Sequence, residues 1–304
     1  MNKKYRSQVD LLLTVLPTLA EFEDFALKGG TAINLFFRDM PRLSVDIDLA
    51  LIKLLNRDSS IQLIDSNLKS FSQRIIQRYP NLKITSVKLD DGYARKLLIS
   101  NPQAQIKVEV NDIIRGSVYP CSMKELCPKA QEEFDKFTEV QTYSFNDIYG
   151  GKICAALDRQ HPRDLFDVNL LLKNEGFIEA LRKTFIVYLI SHNRPIAELI
   201  NPNRFDITDQ FKNNFQGMTT EPIALAELEE AREQIIDLTQ NNLSDQERQF
   251  LISFKLAKPD WNLLGLKNID KLPAVQWKLQ NISKMSNDKH REALKELEKK
   301  LNLS

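Results

Sequence analysis

Two glycines, Gly29 and Gly30, followed by a short apolar stretch and then by the alternating run Ser44-Val45-Asp46-Ile47-Asp48, restrict this chain more than any other segment. Glycine accepts backbone angles that other residues resist and leaves the main chain bare, so the pair predicts a tight turn ahead of a helical segment from Ala32 to Phe37. Along a strand, successive side chains point to opposite faces. A strand through Val45 to Ile52 therefore sets Asp46 and Asp48 side by side, with Ile47 and Leu49 packed behind them. Neighbouring carboxylates attract a divalent cation, and main-chain N–H groups at a helix start can hold phosphate. Together they imply nucleotide chemistry.

The rest of the chain is consistent with a globular scaffold for such a site. At 304 residues it can bury a sizeable core in one large or two ordinary domains. Apolar residues make up 42% and charged residues 27%, with no long low-complexity tract, which excludes a disordered chain. The longest apolar runs, such as Phe185 to Ile190, are too short to span a bilayer. The start Met1-Asn2-Lys3-Lys4-Tyr5 leads into an acidic amphipathic segment unlike a signal peptide, so the expected compartment is the cytoplasm, with no membrane partner. Cys121, Cys127 and Cys154 lack metal-type spacing and are odd in number, and the three histidines are scattered, which argues against a zinc site or a disulfide framework. Cys154 falls on the apolar side of a predicted helix, as a buried thiol without a catalytic role. A net charge of +1 places any nucleic-acid contact in a local patch. The basic residues between Lys267 and Lys300 alternate with glutamates, the pattern of a solvated helix face.

Periodicity organises the chain into two parts. Helix is expected from Tyr5 to Glu21, a short strand through Phe25-Ala26-Leu27, and the Ala32 and Val45 segments follow. Ile61, Ile64, Leu68, Phe71 and Ile75 recur at steps of three and four, one face of a helix of about five turns. Leu82 to Leu89, Tyr93 to Ser100 and Gln105 to Asn111 read as consecutive strands joined at Asp90-Asp91-Gly92 and Asn101-Pro102. In the last strand Ile106, Val108 and Val110 alternate with Lys107, Glu109 and Asn111. That polar face is either the wet side of an edge strand or part of the site. Beyond Pro120 the pattern is helical: Ser144 and Asp147 resemble a capping box before Ile148 to Arg159. Further helices are expected at Arg163 to Lys173, Phe177 to Ser191, Ala224 to Thr239, Asp245 to Leu256 and Met285 to Leu303. The division is an α/β domain over residues 1–143 and a helical domain over 144–304.

Asp46, Asp48 and Glu109 give three carboxylates on two strands, a set able to hold two magnesium ions between a triphosphate and an attacking hydroxyl. A glycine turn, an Asp-x-Asp pair and a later strand carboxylate resemble the DNA polymerase β-like nucleotidyltransferase superfamily. Lys28-Gly29-Gly30-Thr31-Ala32, Arg42-x-Ser44-x-Asp46-Ile47-Asp48-Leu49 and Lys152-x-x-Ala155-x-x-x-Arg159-x-x-x-Arg163-Asp164-x-x-Asp167 are similar to the AbiEii/AbiGii toxin family, from about Ala26 to Leu172. The chain departs from the superfamily in having Gly-Gly-Thr at the phosphate turn, where Thr31 or Ser44 would supply the hydroxyl, and glutamate at the third carboxylate.

The resemblance implies an α+β fold, a polymerase β-like nucleotidyltransferase core with a mixed sheet, followed by a mostly α-helical domain that completes the active-site cleft. It implies transfer of a nucleoside monophosphate from a nucleoside triphosphate to an acceptor hydroxyl, with release of pyrophosphate and dependence on Mg2+. Asp46, Asp48 and Glu109 would hold metal, and Gly29, Gly30, Thr31, Ser44 and Lys152 would bind nucleotide phosphate. Asp167 would orient Lys152 or close the catalytic cluster. The partners it implies are an NTP, a tRNA or other RNA acceptor, and an AbiEi-type antitoxin, in a type IV toxin–antitoxin system. Lys152 or Arg159 paired with Asp164 or Asp167 as an interdomain salt bridge is the purely structural alternative for the downstream block. Arg38 and Arg42, which flank the Asp-x-Asp strand, are second-tier candidates for phosphate contact, against the ordinary expectation that loop arginines are solvated, and Tyr93, Arg95 and Lys96 are candidates for an acceptor groove. A small-molecule or protein nucleotidyltransferase, and a non-catalytic nucleotide- or partner-binding module, remain as alternatives.

Overall fold

Alternation in three consecutive segments and in the Asp-x-Asp run builds one mixed sheet. The computed structural model describes residues 3–303, so the first two residues of the amino-terminal stretch lie outside the described residues. The elements run α1 (Lys3–Leu19), β1 (Phe25–Lys28), α2 (Gly29–Ala32), a π-helical turn (Ile33–Phe37), β2 (Asp46–Leu51), α3 (Arg57–Arg78), β3 (Lys83–Lys88), β4 (Ala94–Ser100) and β5 (Gln105–Asn111). They continue with β6 (Ser122–Glu125), α4 (Pro128–Phe134), β7 (Glu139–Thr142) and α5 (Phe145–Arg159). The seven strands lie in the order β3-β4-β5-β2-β1-β7-β6. β2 runs parallel to β5 and β1 parallel to β7, while the other neighbours are antiparallel.

One face of this sheet is apolar. Ile47 pairs with Val108 and Leu49 with Val110, Leu97 lies across from Val108, and Ile99 across from Ile106. All seven are buried, and α1 and α3 cover them. The expected stripe of α3 is buried in full, from Ile61 through Ile64, Leu68 and Phe71 to Ile75. Burying each such side chain stabilises the fold by about 1.5–3 kcal/mol before conformational entropy is counted. Asn56 caps α3 by accepting a hydrogen bond from the Ser59 N–H at 2.8 Å.

Two expectations are corrected here. The chain beyond Pro120 is not continuously helical, because β6 and β7 extend the sheet past β1. β5 is an interior strand between β4 and β2, so the polar face of Lys107 and Glu109 is not the wet side of an edge.

The chain divides into two compact units. The first takes in the chain up to Ile148 together with Gln216–Pro222, and the second comprises Tyr149–Phe215 and the chain from Ile223 onward. The second unit is helical, with the rest of α5, α6 (Pro162–Asn174), α7 (Glu179–Ser191), α8 (Ile196–Ile200), α9 (Thr208–Asn214), α10 (Leu225–Asn241), α11 (Asp245–Lys255), α12 (Pro273–Ser283) and α13 (Asn287–Lys300). Gly150 and Gly151 sit inside α5, where helix propensity disfavours them. A Cβ on Gly150 would stand 3.1 Å from the Tyr188 ring and 3.2 Å from the backbone nitrogen of Phe185, so glycine here permits the close crossing of α5 and α7.

Candidate active site

The sheet face opposite the apolar one carries charge. Asp46 pairs in register with Lys107 and Asp48 with Glu109, while Lys28 at the end of β1 lies across from Asp48 and Lys96 across from Glu109. Partners in register share a face, so three carboxylates and three lysines meet on four adjacent strands. Glu109 is held by two of the lysines: Lys107 Nζ lies 2.8 Å from one carboxylate oxygen and Lys96 Nζ 3.3 Å from the other. Burial pushes the Glu109 pKa up, but the two ammonium groups outweigh it and the carboxyl titrates below its ordinary value. Lys107 shows the converse. Partial burial lowers its pKa, and the hydrogen bond to Glu109 with the charges of Asp46, Glu109 and Asp48 raises it further.

The glycine turn abuts the carboxylates directly. Gly29 has φ +70°, and a Cβ there would stand 2.5 Å from Asp48 Oδ2. A Cβ on Gly30 would stand 2.7 Å from Arg42 Nη2 and 3.0 Å from Ser44 Oγ. Arg42 is 2% exposed, which corrects the expectation of a solvated loop arginine. Its Nη1 donates to the Leu43 carbonyl at 2.9 Å. The loop itself is pinned where Leu43 N–H donates to the Met218 carbonyl at 2.8 Å and Thr220 N–H to the Pro41 carbonyl at 2.9 Å. Thr31 is fully buried, its hydroxyl within reach of the Asp46 carbonyl and 3.0 Å from Ser44 Oγ. One hydroxyl carries one proton. Given to the Asp46 carbonyl, it makes Ser44 the donor to Thr31 and turns the lone pairs of Ser44 elsewhere. Arg38 stacks over the Phe145 ring, with its guanidinium carbon 5.8 Å from the centroid.

A cleft of about 270 Å³ opens beside Asp48, lined by Lys28, Lys96 and Glu109 and by the apolar Val87, Leu89 and Ile113. Arg95 also lines it, locked by Asp91 and by Asp112 at 3.3 Å. Tyr93 lies in the turn before β4, its N–H donating to Asp91 Oδ1 at 3.1 Å. Lys28 received no role from the sequence; its register opposite Asp48 is the signal that would have found it.

Within the second unit, α5 and α6 bring the downstream block together. Lys152 Nζ lies 2.9 Å from Asp164 Oδ1 and 3.1 Å from Asp167 Oδ2, all three buried. Arg159, 62% exposed, reaches Asp164 Oδ2 at 2.6 Å. The ion pairs thus lie inside one unit, which corrects the interdomain alternative. Burial acts to raise the Asp164 pKa, but Lys152 and Arg159 overcome it and hold the carboxyl well below the usual range. His161 caps α6, its Nδ1 accepting from the Arg163 N–H at 3.1 Å. Burial lifts the thiols of Cys121 and Cys127 to about 11 and that of Cys154 higher still, so none is a thiolate nucleophile at neutral pH.

The donor set suits magnesium better than a closed metal cage. Among the described residues no three His, Cys, Asp or Glu side chains form a ready-made cluster. An open carboxylate pair beside a bare turn, with a lysine ammonium already drawn to the same face, fits a hard cation that takes its remaining oxygens from phosphate and water.

Comparison with known proteins bears on the fold and the family. The structure resembles MenT4, a nucleotidyltransferase toxin from Mycobacterium tuberculosis H37Rv, with a TM-score of 0.60 and 15% sequence identity over 92% of this chain and 93% of that one. The fold is therefore a nucleotidyltransferase fold, as the sequence motifs implied. Residues 10–281 match the model of the nucleotidyl transferase AbiEii toxin family, type IV toxin–antitoxin system, and the chain belongs to that family. No curated protein matches the sequence. Among the described residues, no helix is long and apolar enough to cross a membrane.

Proposed function

We propose that this nucleotidyltransferase moves a nucleoside monophosphate from a nucleoside triphosphate to a hydroxyl of an RNA acceptor, tRNA in particular, in the cytoplasm and under the control of an AbiEi-type antitoxin. The observation that carries this reading is the close approach of Asp48 to Gly29 and of buried Arg42 to Gly30, the next residue of the same turn. A substrate phosphate seated on the bare turn then lies between an arginine and a carboxylate pair. Gly29 and Gly30 exclude any side chain from that seat, Arg42 supplies positive charge to the triphosphate, and Thr31 and Ser44 fix the turn to β2.

Asp46 and Asp48, with Glu109 as third donor, would hold two magnesium ions, which neutralise the triphosphate and favour a deprotonated nucleophile. Glu109, which lines the cleft, would complete that metal site beside the acceptor hydroxyl. Catalysis on this reading is alignment and charge neutralisation. The cleft lining balances Lys28, Arg95 and Lys96 against Asp48, Glu109 and Asp112, so its charge does not distinguish an RNA acceptor from a small one, and the acceptor is assigned by the assay below.

The test uses radiolabelled triphosphates, each of the four in turn, with total RNA and then without it. Label should enter RNA from one triphosphate, and Asp48→Ala should abolish transfer while keeping the thermal transition. Label appearing only on small molecules or protein would reject the RNA acceptor, and full activity of Asp48→Ala would reject the site.

A further inference from the structure

Lys107 has no place in the chemistry just described, yet it sits among the residues assigned to the metal. Its amine is 2.8 Å from Glu109, and its backbone is in register with Asp46. β5 is fixed on both sides, by β2 and by β4, so the backbone cannot carry the lysine away. The side chain is 32% exposed, which leaves its amine a route to solvent by rotation alone. Lys96 holds the other Glu109 oxygen. With Lys28 in register with Asp48, the three carboxylates Asp46, Asp48 and Glu109 face three ammonium groups on the same surface, and little negative charge remains to capture a free dication.

We infer that Lys107 is the resident counter-cation of the carboxylate face, displaced when nucleotide arrives, so that divalent metal is held tightly only together with the triphosphate. The inference rests on the reading that Asp46 and Asp48 are the metal donors. Without nucleotide, Lys107 occupies the electrostatic position and keeps Glu109 turned toward itself. The triphosphate brings negative charge of its own, which restores the attraction for a dication and gives the lysine a second anionic partner. Lys107 is on this account a positioning residue that makes metal binding conditional on substrate.

Direct Mn2+ binding, followed by loss of the free-ion electron paramagnetic resonance signal, tests this on the full chain. In a water-like medium, one ammonium within a few ångströms of a dication's donors opposes the ion by roughly tenfold in affinity. Lys107→Met should therefore bind Mn2+ without nucleotide roughly tenfold more tightly than the wild type, and the gap should close when a mixture of the four non-hydrolysable triphosphate analogues is added. Lys107→Gln serves if the methionine variant does not fold. Lys83→Met, which removes the same charge from exposed β3, should leave Mn2+ affinity unchanged. Unchanged or weaker Mn2+ binding in the Lys107 variants, or an equal gain in Lys83→Met, overturns the inference while leaving the site intact. Wild-type protein that binds no Mn2+ even with the analogues overturns the metal site and this inference with it.

Discussion

Replacing Gly29 by alanine separates the two properties that a glycine supplies at this turn. A residue with a Cβ held at φ +70° costs about 1–2 kcal/mol in the left-handed region. The new methyl group would also lie 2.5 Å from Asp48 Oδ2, 3.1 Å from its Cβ and 3.2 Å from its Cγ. Rotating the carboxylate removes the first contact only, since the Asp48 Cβ is fixed to a strand paired on both sides. Either the turn backs away or Asp48 leaves its place, and a misplacement of about 1 Å in catalytic geometry costs about 100-fold in rate.

Gly92 is the control, because it has φ +81° and nothing within 4 Å of an added Cβ. Gly92→Ala meets the backbone cost alone. Both variants should lose roughly 2–8 °C in the thermal transition of the first unit, Gly29→Ala the more. In single-turnover transfer of labelled nucleotide, Gly92→Ala should match the wild type and Gly29→Ala should fall about 100-fold. A Gly29→Ala protein with activity within threefold of wild type would refute the reasoning, as would an equal loss in Gly92→Ala.

The other predictions concern the second unit. Asp164 titrates below its ordinary 3.8 in the folded state, so its contribution to stability is fully present above that value and is lost as pH falls below about 4. Urea midpoints between pH 6 and pH 2 should therefore drop steeply for the wild type and less steeply for Asp164→Asn; parallel curves would exclude Asp164 as a source of acid sensitivity. Lys278 donates to the carbonyls of His192, Asn193 and Arg194 at 2.7, 3.3 and 2.6 Å, just past the end of α7. Lys278→Met, which leaves those acceptors without that donor, should lower stability by about 1–3 kcal/mol in urea titration without altering Mn2+ binding.

The parts of this fold written in local periodicity were legible, and those held by distant partners were not. The α3 stripe and the limits of β5 follow from spacing alone, because one face of each is continuously apolar. β7 has four residues, too few to show a period, and exists through its parallel pairing with β1. β6 is exposed along most of its length and pairs only with β7. At the site, the Asp46 and Asp48 pair and the glycine turn were readable as types of residue in order. The burial of Arg42 was not, since it depends on residues near position 219, and neither was the hold of Lys96 on Glu109, which needs the register of β4 against β5.

That dependence on residues near position 219 gives the chain a timetable. The Arg42 loop is tied down by Met218, Thr219 and Thr220, the last of them 179 positions after Pro41. During synthesis the sheet and its carboxylates can form long before this short segment emerges, but the loop behind the glycine turn acquires its fastening only afterwards. A chain ending at Ile148 would carry every carboxylate of the sheet face and still lack the clamp on the Arg42 loop. The order of translation thus delays completion of the toxin's first unit until nearly half of its second has been made.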